Sequence, residues 1–170
     1  MNMNDPITHI LVLVVPEIDS LATQLAATQL ASSTGALVTL LHVDDRGDQL
    51  QVTSQLDAMR DRLAALSPDG VDIRVAYRRG EAHAEVCAFI DEAGVDVVFI
   101  QSAISCRNAT LRRLTKSLQR QCKCQIQIVH PPGTKASKNS SLITDCLNFV
   151  VARLRKQKLP LSPDLLPSDA

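Results

Sequence analysis

Residues 7–15 read ITHILVLVV, and this run decides the fold. It is almost continuously aliphatic, which leaves no polar face for a surface helix. A strand that is apolar on both sides belongs at the centre of a parallel sheet covered by helices on both faces.

Working outward, Asp19 or Ser20 is placed to cap a segment carrying Leu21, Leu25, Ala26 and Leu30 at helical spacing, and Gly35 supplies the left-handed residue that ends it. Residues 36–43 (ALVTLLHV) repeat the apolar strand pattern. Val52, Leu56, Met59, Leu63 and Leu66 then recur in steps of four and three, the clearest helical stripe in the chain. It stops at residues 67–70 (SPDG), because the residue before a proline is pushed out of helical geometry.

In residues 71–77 the apolar Val71, Ile73 and Val75 alternate with Asp72 and Arg74, as on a strand with one wetter face near a sheet edge. Gly80 opens a further helix with Ala82, Val86, Phe89, Ile90 and Ala93 inward, and Gly94 closes it. Residues 95–100 give another buried strand. A helix with Leu111, Leu114 and Leu118 follows, and then a short alternating edge strand, Gln125, Ile126, Gln127, Ile128 and Val129.

Five strands separated by helices of crossover length predict an α/β fold: a doubly wound, Rossmann-like, five-stranded parallel sheet. Ligands of such folds sit at the carboxyl ends of the strands where the strand order reverses. Those ends are the loops after Val15, Val43 and Ile100.

The sequence divides into an α/β domain, residues 1–130, and an appendage, residues 131–170. The appendage begins as a polar linker (PPGTKASKNSS). Leu142, Ile143, Cys146, Leu147, Phe149, Val150 and Leu154 then mark an extra C-terminal amphipathic helix, followed by a proline-containing tail. A greasy stripe of that length calls for cover, on its own domain, on a second subunit or on a protein partner.

Among 170 residues, 18 Lys and Arg balance 18 Asp and Glu, so the chain as a whole has no electrostatic reason to seek nucleic acid or an acidic membrane. No run approaches the length of a membrane span, and the N-terminus lacks the basic residues of a signal peptide, which points to a cytoplasmic protein. The 5 cysteines are an odd number without a disulfide framework. Cys122 and Cys124 lack a second Cys or His pair at zinc-finger spacing, and His9, His42, His83 and His130 form no H-x-x-x-H, so no metal is expected.

The order and spacing of these blocks resemble the universal stress proteins over residues 8–129. The resemblance is carried by ITHILVLVV, GALVTLLHV, the Gly80-Glu81-Ala82 helix start, AGVDVVFIQS and CQIQIV. It implies the fold of the universal stress protein/adenine nucleotide alpha hydrolase-like group, a stress-response role and a homodimer joined through the last strand.

Members of that family that hold ATP carry an Asp at the end of the first strand and a phosphate loop of the form G-x-x-G, then nine residues, then G-S or G-T. The Asp position falls on Val15 and the first two glycines fall on Gln101 and Ile104. The last falls near Arg112 or Leu114, and neither is glycine. The motif is degenerate.

The residues say the same without the family, since the 6 glycines stand at 35, 47, 70, 80, 94 and 133 and residues 95–132 contain none. A phosphate cradle needs bare main-chain N–H groups in conformations that a side chain obstructs. Losing two such bonds, at about 1.5–3 kcal/mol each, weakens binding by about two to four decades. No cofactor is expected, ATP least of all.

Without catalytic candidates, the first expectation is a non-enzymatic module acting through dimerisation and protein contacts. The alternative is an atypical nucleotide- or anion-binding sensor at the switch point. Its candidate residues are Val15, Val43, Gln101, Ser102, Ser105, Arg107, Arg112 and Arg113, with Asn108 and Thr110, because hydroxyls and guanidinium forks bind phosphate without glycine. Cys106 in the same loop has no neighbouring base and reads as a spectator thiol, and His42 and His130 read as ordinary loop histidines. The unpaired outer edge of residues 125–129 is the expected dimer contact.

Overall fold

The computed structural model describes residues 6–15, 20–44, 49–67, 70–102 and 109–130. Ser105, Arg107, Asn108, Cys106, the proposed cap Asp19, the linker and the whole C-terminal helix lie outside the described residues. Among the described residues nine elements alternate: β1 (His9–Leu13), α1 (Leu21–Thr34), β2 (Leu37–Asp44), α2 (Gln49–Leu66), β3 (Ile73–Arg79), α3 (Ala82–Ala93), β4 (Val97–Gln101), α4 (Ala109–Gln121) and β5 (Gln125–Val129). The strands form one parallel sheet in the order β3-β2-β1-β4-β5.

β1 is central and every one of its residues is buried. The pleat divides its side chains between two cores. Ile10, Val12 and Val14 join Val38, Leu40, Val97 and Phe99 beneath Leu25, Ala27 and Ala31 of α1 and Leu56 and Leu63 of α2. Leu11 and Leu13 join Leu41, Val98 and Ile100 beneath Val86 and Ile90 of α3 and Leu111 and Leu118 of α4. The sheet is thus apolar on both sides because each side carries two helices.

β3 and β5 are the edge strands, as their alternating sequences predict. β3 runs two residues further than its apolar alternation, because Arg78 and Arg79 continue the register opposite Val43 and Asp44. Gly80 does not itself begin α3. Its φ of 150° turns the chain, and Glu81 is the N-cap. Gly35 and Gly94 end α1 and α3 in the left-handed region, their N–H groups reaching back to Ala31 and Ile90.

The amino ends of the strands are clamped by Asp96. Its Oδ2 accepts from the Thr8 backbone N–H (2.8 Å), the Thr8 hydroxyl (2.9 Å) and the His9 N–H (3.0 Å). Burial by itself would push this carboxyl up, but the bonds from Thr8 and His9 outweigh it and hold the group below the usual carboxylate range. His9, buried at the same end, reaches the Ala93 carbonyl through Nδ1 (3.0 Å) and the Thr39 hydroxyl through Nε2 (2.9 Å). A carbonyl only accepts, so Nδ1 carries the proton.

Candidate functional site at the carboxyl ends of the strands

Strand order reverses between β1 and β4, so their carboxyl ends open onto the switch point of the sheet. On the α3/α4 side of that point lies a cavity of about 170 Å³. Its walls are Leu13, Val15, Leu41, Val43, Ala82, Val86, Leu111 and Leu114, with Val14 and His42 at the sheet. Nearly all of these side chains are aliphatic.

Two polar groups nearby bond to the chain's own backbone. His42 is no loop histidine: it lies within β2, is 9 % exposed and donates from Nδ1 to the Val14 carbonyl across 2.9 Å. Sequence reasoning missed this because a histidine that closes an apolar strand looks the same whether it faces water or a neighbouring carbonyl. His130 follows β5 and is half-buried.

At the start of α3 the Glu81 carboxylate accepts from the N–H groups of Ala84 (2.8 Å) and His83 (3.1 Å). Those two bonds, the one from Ala84 first, hold its pKa below the usual carboxylate range. An acid of the chain therefore occupies a helix N-terminus that would otherwise attract an external anion. In α4, Thr115 turns its hydroxyl to the Leu111 carbonyl at 2.7 Å.

The residues singled out by sequence fall into separate groups. Val15 and Val43 line the cavity. Gln101 continues the Val97 and Phe99 side of β4 and so projects toward α1 and α2, across the sheet from the cavity. Its Oε1 is buried with no hydrogen-bond partner, as is the Tyr77 hydroxyl, whose strand face is the same. Ser102 is 2 % exposed and its N–H donates to the Val129 carbonyl at 2.7 Å, prolonging the ladder between β4 and β5. Arg112 and Arg113 are exposed on α4 and do not line the cavity.

Solved structures share this fold. A universal stress protein crystallised in complex with cAMP superposes with a TM-score of 0.59 at 16 % identity, covering 74 % of this chain and 99 % of that one. The fold is that of the universal stress proteins. The universal stress protein of Lactobacillus plantarum matches with a TM-score of 0.57 at 20 % identity, over 74 % of this chain and 99 % of its own. One from Archaeoglobus fulgidus in complex with dAMP matches with 0.58 at 15 %, over 73 % and 98 %.

In sequence, no family model and no curated protein matches the chain. The universal stress protein fold is therefore established by backbone geometry, at identities where side chains at equivalent positions have diverged. Among the described residues, no three His, Cys, Asp or Glu side chains are grouped to hold a metal ion. No helix among them is long and apolar enough to cross a membrane.

Proposed function

We propose that this chain is a non-enzymatic stress-response module of the universal stress protein kind, working as a cytoplasmic homodimer through protein contacts and without holding ATP in the family's manner. The observation that carries this reading is the aliphatic cavity at the switch point, walled by Leu13, Val15, Val43, Val86, Leu111 and Leu114. Ligand pockets usually run to about 300–1,000 Å³ and present a few converging polar groups. This one is smaller, and its neighbours His42, through Nδ1, and Glu81 bond to the chain's own backbone.

The non-enzymatic reading is supported by the cavity wall, where His42 is the single titratable side chain and no nucleophile or carboxylate stands beside it among the described residues. The dimer is supported by β5. Among the described residues it pairs only with β4, and a second copy related by a two-fold axis would satisfy the backbone groups of its other edge. The C-terminal helix is proposed as the surface for a protein partner.

Two measurements test the reading. Protein purified without added nucleotide is expected to carry none by absorbance and mass spectrometry; stoichiometric ATP would overturn it. Light scattering is expected to give a dimer both for the full chain and after truncation at Pro132. A monomer from the full chain would remove the dimer, and one from the truncated chain alone would assign assembly to the tail.

A second reading, an atypical nucleotide- or anion-binding sensor, is favoured by the buried, unpartnered Oε1 of Gln101 and by the relatives solved with cAMP and dAMP. It draws on Gln101, Ser102, Arg112 and Arg113, with Ser105 and Arg107. Titration with cAMP, dAMP and inorganic phosphate separates the two readings. Saturable binding that weakens in the Gln101→Leu variant supports the sensor, and no binding supports the first.

A further inference from the structure

Away from the switch point, three free thiols gather between α3 and the turn that leads from α4 into β5. Cys87 and Cys122 place their Sγ atoms 3.6 Å apart although 35 residues separate them. Cys124 sits two residues further on, and all three are partly exposed at the rim of the α3/α4 core. His83, one turn before Cys87 on α3, brings Nε2 to 3.5 Å from the Cys87 sulfur. An open depression of about 590 Å³, lined by Asp91, Lys123 and Cys124 among others, gives solvent a way to this corner.

We propose that Cys87 and Cys122 are a reversible dithiol–disulfide pair, oxidised by small-molecule disulfides such as glutathione disulfide. The thiolate is the attacking species, so the imidazole beside Cys87 makes it the entry point. His83 Nε2 takes the Cys87 thiol proton, and the sulfur attacks the small disulfide. That S–S bond breaks and one thiolate leaves, taking up the proton. Cys122, already at 3.6 Å, attacks the mixed disulfide at Cys87 Sγ and releases the second small thiol. The protein loses two electrons and two protons, and one disulfide becomes two thiols.

The surroundings favour this order over the reverse. Burial, with the Cys87 sulfur close by, pushes the Cys122 thiol up to about 12, and burial raises Cys124 as well. These two thiols stay protonated near neutral pH and attack slowly from solution, whereas Cys122 meets a mixed disulfide on Cys87 at contact distance. The product encloses residues 87–122, with β4 and α4, in one covalent ring. It therefore restrains the unfolded chain and reports oxidant on a structural element.

The experiment uses the full reduced chain, incubated with glutathione disulfide at neutral pH, quenched with iodoacetamide and mapped as non-reduced peptides. The expected result is a Cys87–Cys122 linked peptide as the main product, absent after dithiothreitol. The thermal midpoint should rise on oxidation and return on reduction. Cys124→Ser is expected to keep the link, Cys122→Ser to stop at a mixed disulfide on Cys87, and His83→Gln to slow the first step by several-fold. Recovery of Cys87 and Cys122 both alkylated, or a product linked mainly through Cys106, Cys124 or Cys146, would overturn the proposal. The mapping is done on the natural sequence, so a variant that fails to fold does not weaken it.

Discussion

His42 and Val14 are joined across the sheet: the imidazole at the end of β2 donates from Nδ1 to the carbonyl just past the end of β1, at 2.9 Å. Val14 also donates its own N–H to the Leu41 carbonyl at 2.9 Å, so both its backbone groups are held by β2. The exit of the central strand is therefore fixed where a ligand would have to enter. His42→Leu keeps the bulk but strands a buried carbonyl, which costs about 1–3 kcal/mol. The expected urea midpoint falls accordingly, with His42→Asn intermediate because its amide can still donate.

Asp96 ties the other end of the sheet through its three bonds to Thr8 and His9. Its carboxyl is held below its ordinary value in the fold, so the stabilisation is present above the unfolded pKa of about 3.9 and is lost as pH falls through the folded value. Asp96→Asn should lower unfolding stability by about 1–2 kcal/mol at pH 7. The gap should close as pH falls below about 4. Denaturant curves at a series of pH values check this, and a gap that widens in acid would contradict it.

Gly80 holds a φ of 150° while its N–H donates to the Asp44 carbonyl at 3.0 Å. A Cβ there would lie 2.7 Å from Glu85 Oε1 and 2.9 Å from its Cγ. Gly80→Ala is expected to cost about 1–3 kcal/mol through backbone strain. Gly35 also has positive φ, but nothing lies within 4 Å of the added Cβ. Gly35→Asn should cost little, since Asn tolerates that conformation. Thermal melts of the two variants test the contrast.

The sheet was legible because burial on both faces makes the central strands nearly continuous in aliphatic residues: Ile10 and Val12 serve one core and Leu11 and Leu13 the other. The inward face of α1 was legible in its apolar stripe, with Leu25 and Ala26 in the core and Leu21 and Leu30 packed against it, but not in the polar residues it also encloses. Leu21 and Leu30 are only half-buried, while Thr23, Gln24 and Thr28 are enclosed. The helix is rich in small residues and its polar groups bond locally, Gln24 to the Ser20 hydroxyl and Thr28 to the Leu25 carbonyl. Polarity thus misreports depth there.

At the site, Val15 and Val43 followed from strand ends alone. The face on which Gln101 stands was readable from the alternation of Val97, Phe99 and Gln101, but proximity in sequence had grouped it with Ser102. The meeting of Cys87 and Cys122 had no local signal at all, because helix packing creates it.

We propose that the switch point does not admit a triphosphate, because aliphatic side chains wall its cavity and residues 95–132 contain no glycine. Calorimetric titration of the full chain with Mg-ATP is the most direct test. The expected result is no saturable heat up to millimolar nucleotide. One site per chain with micromolar affinity would contradict it.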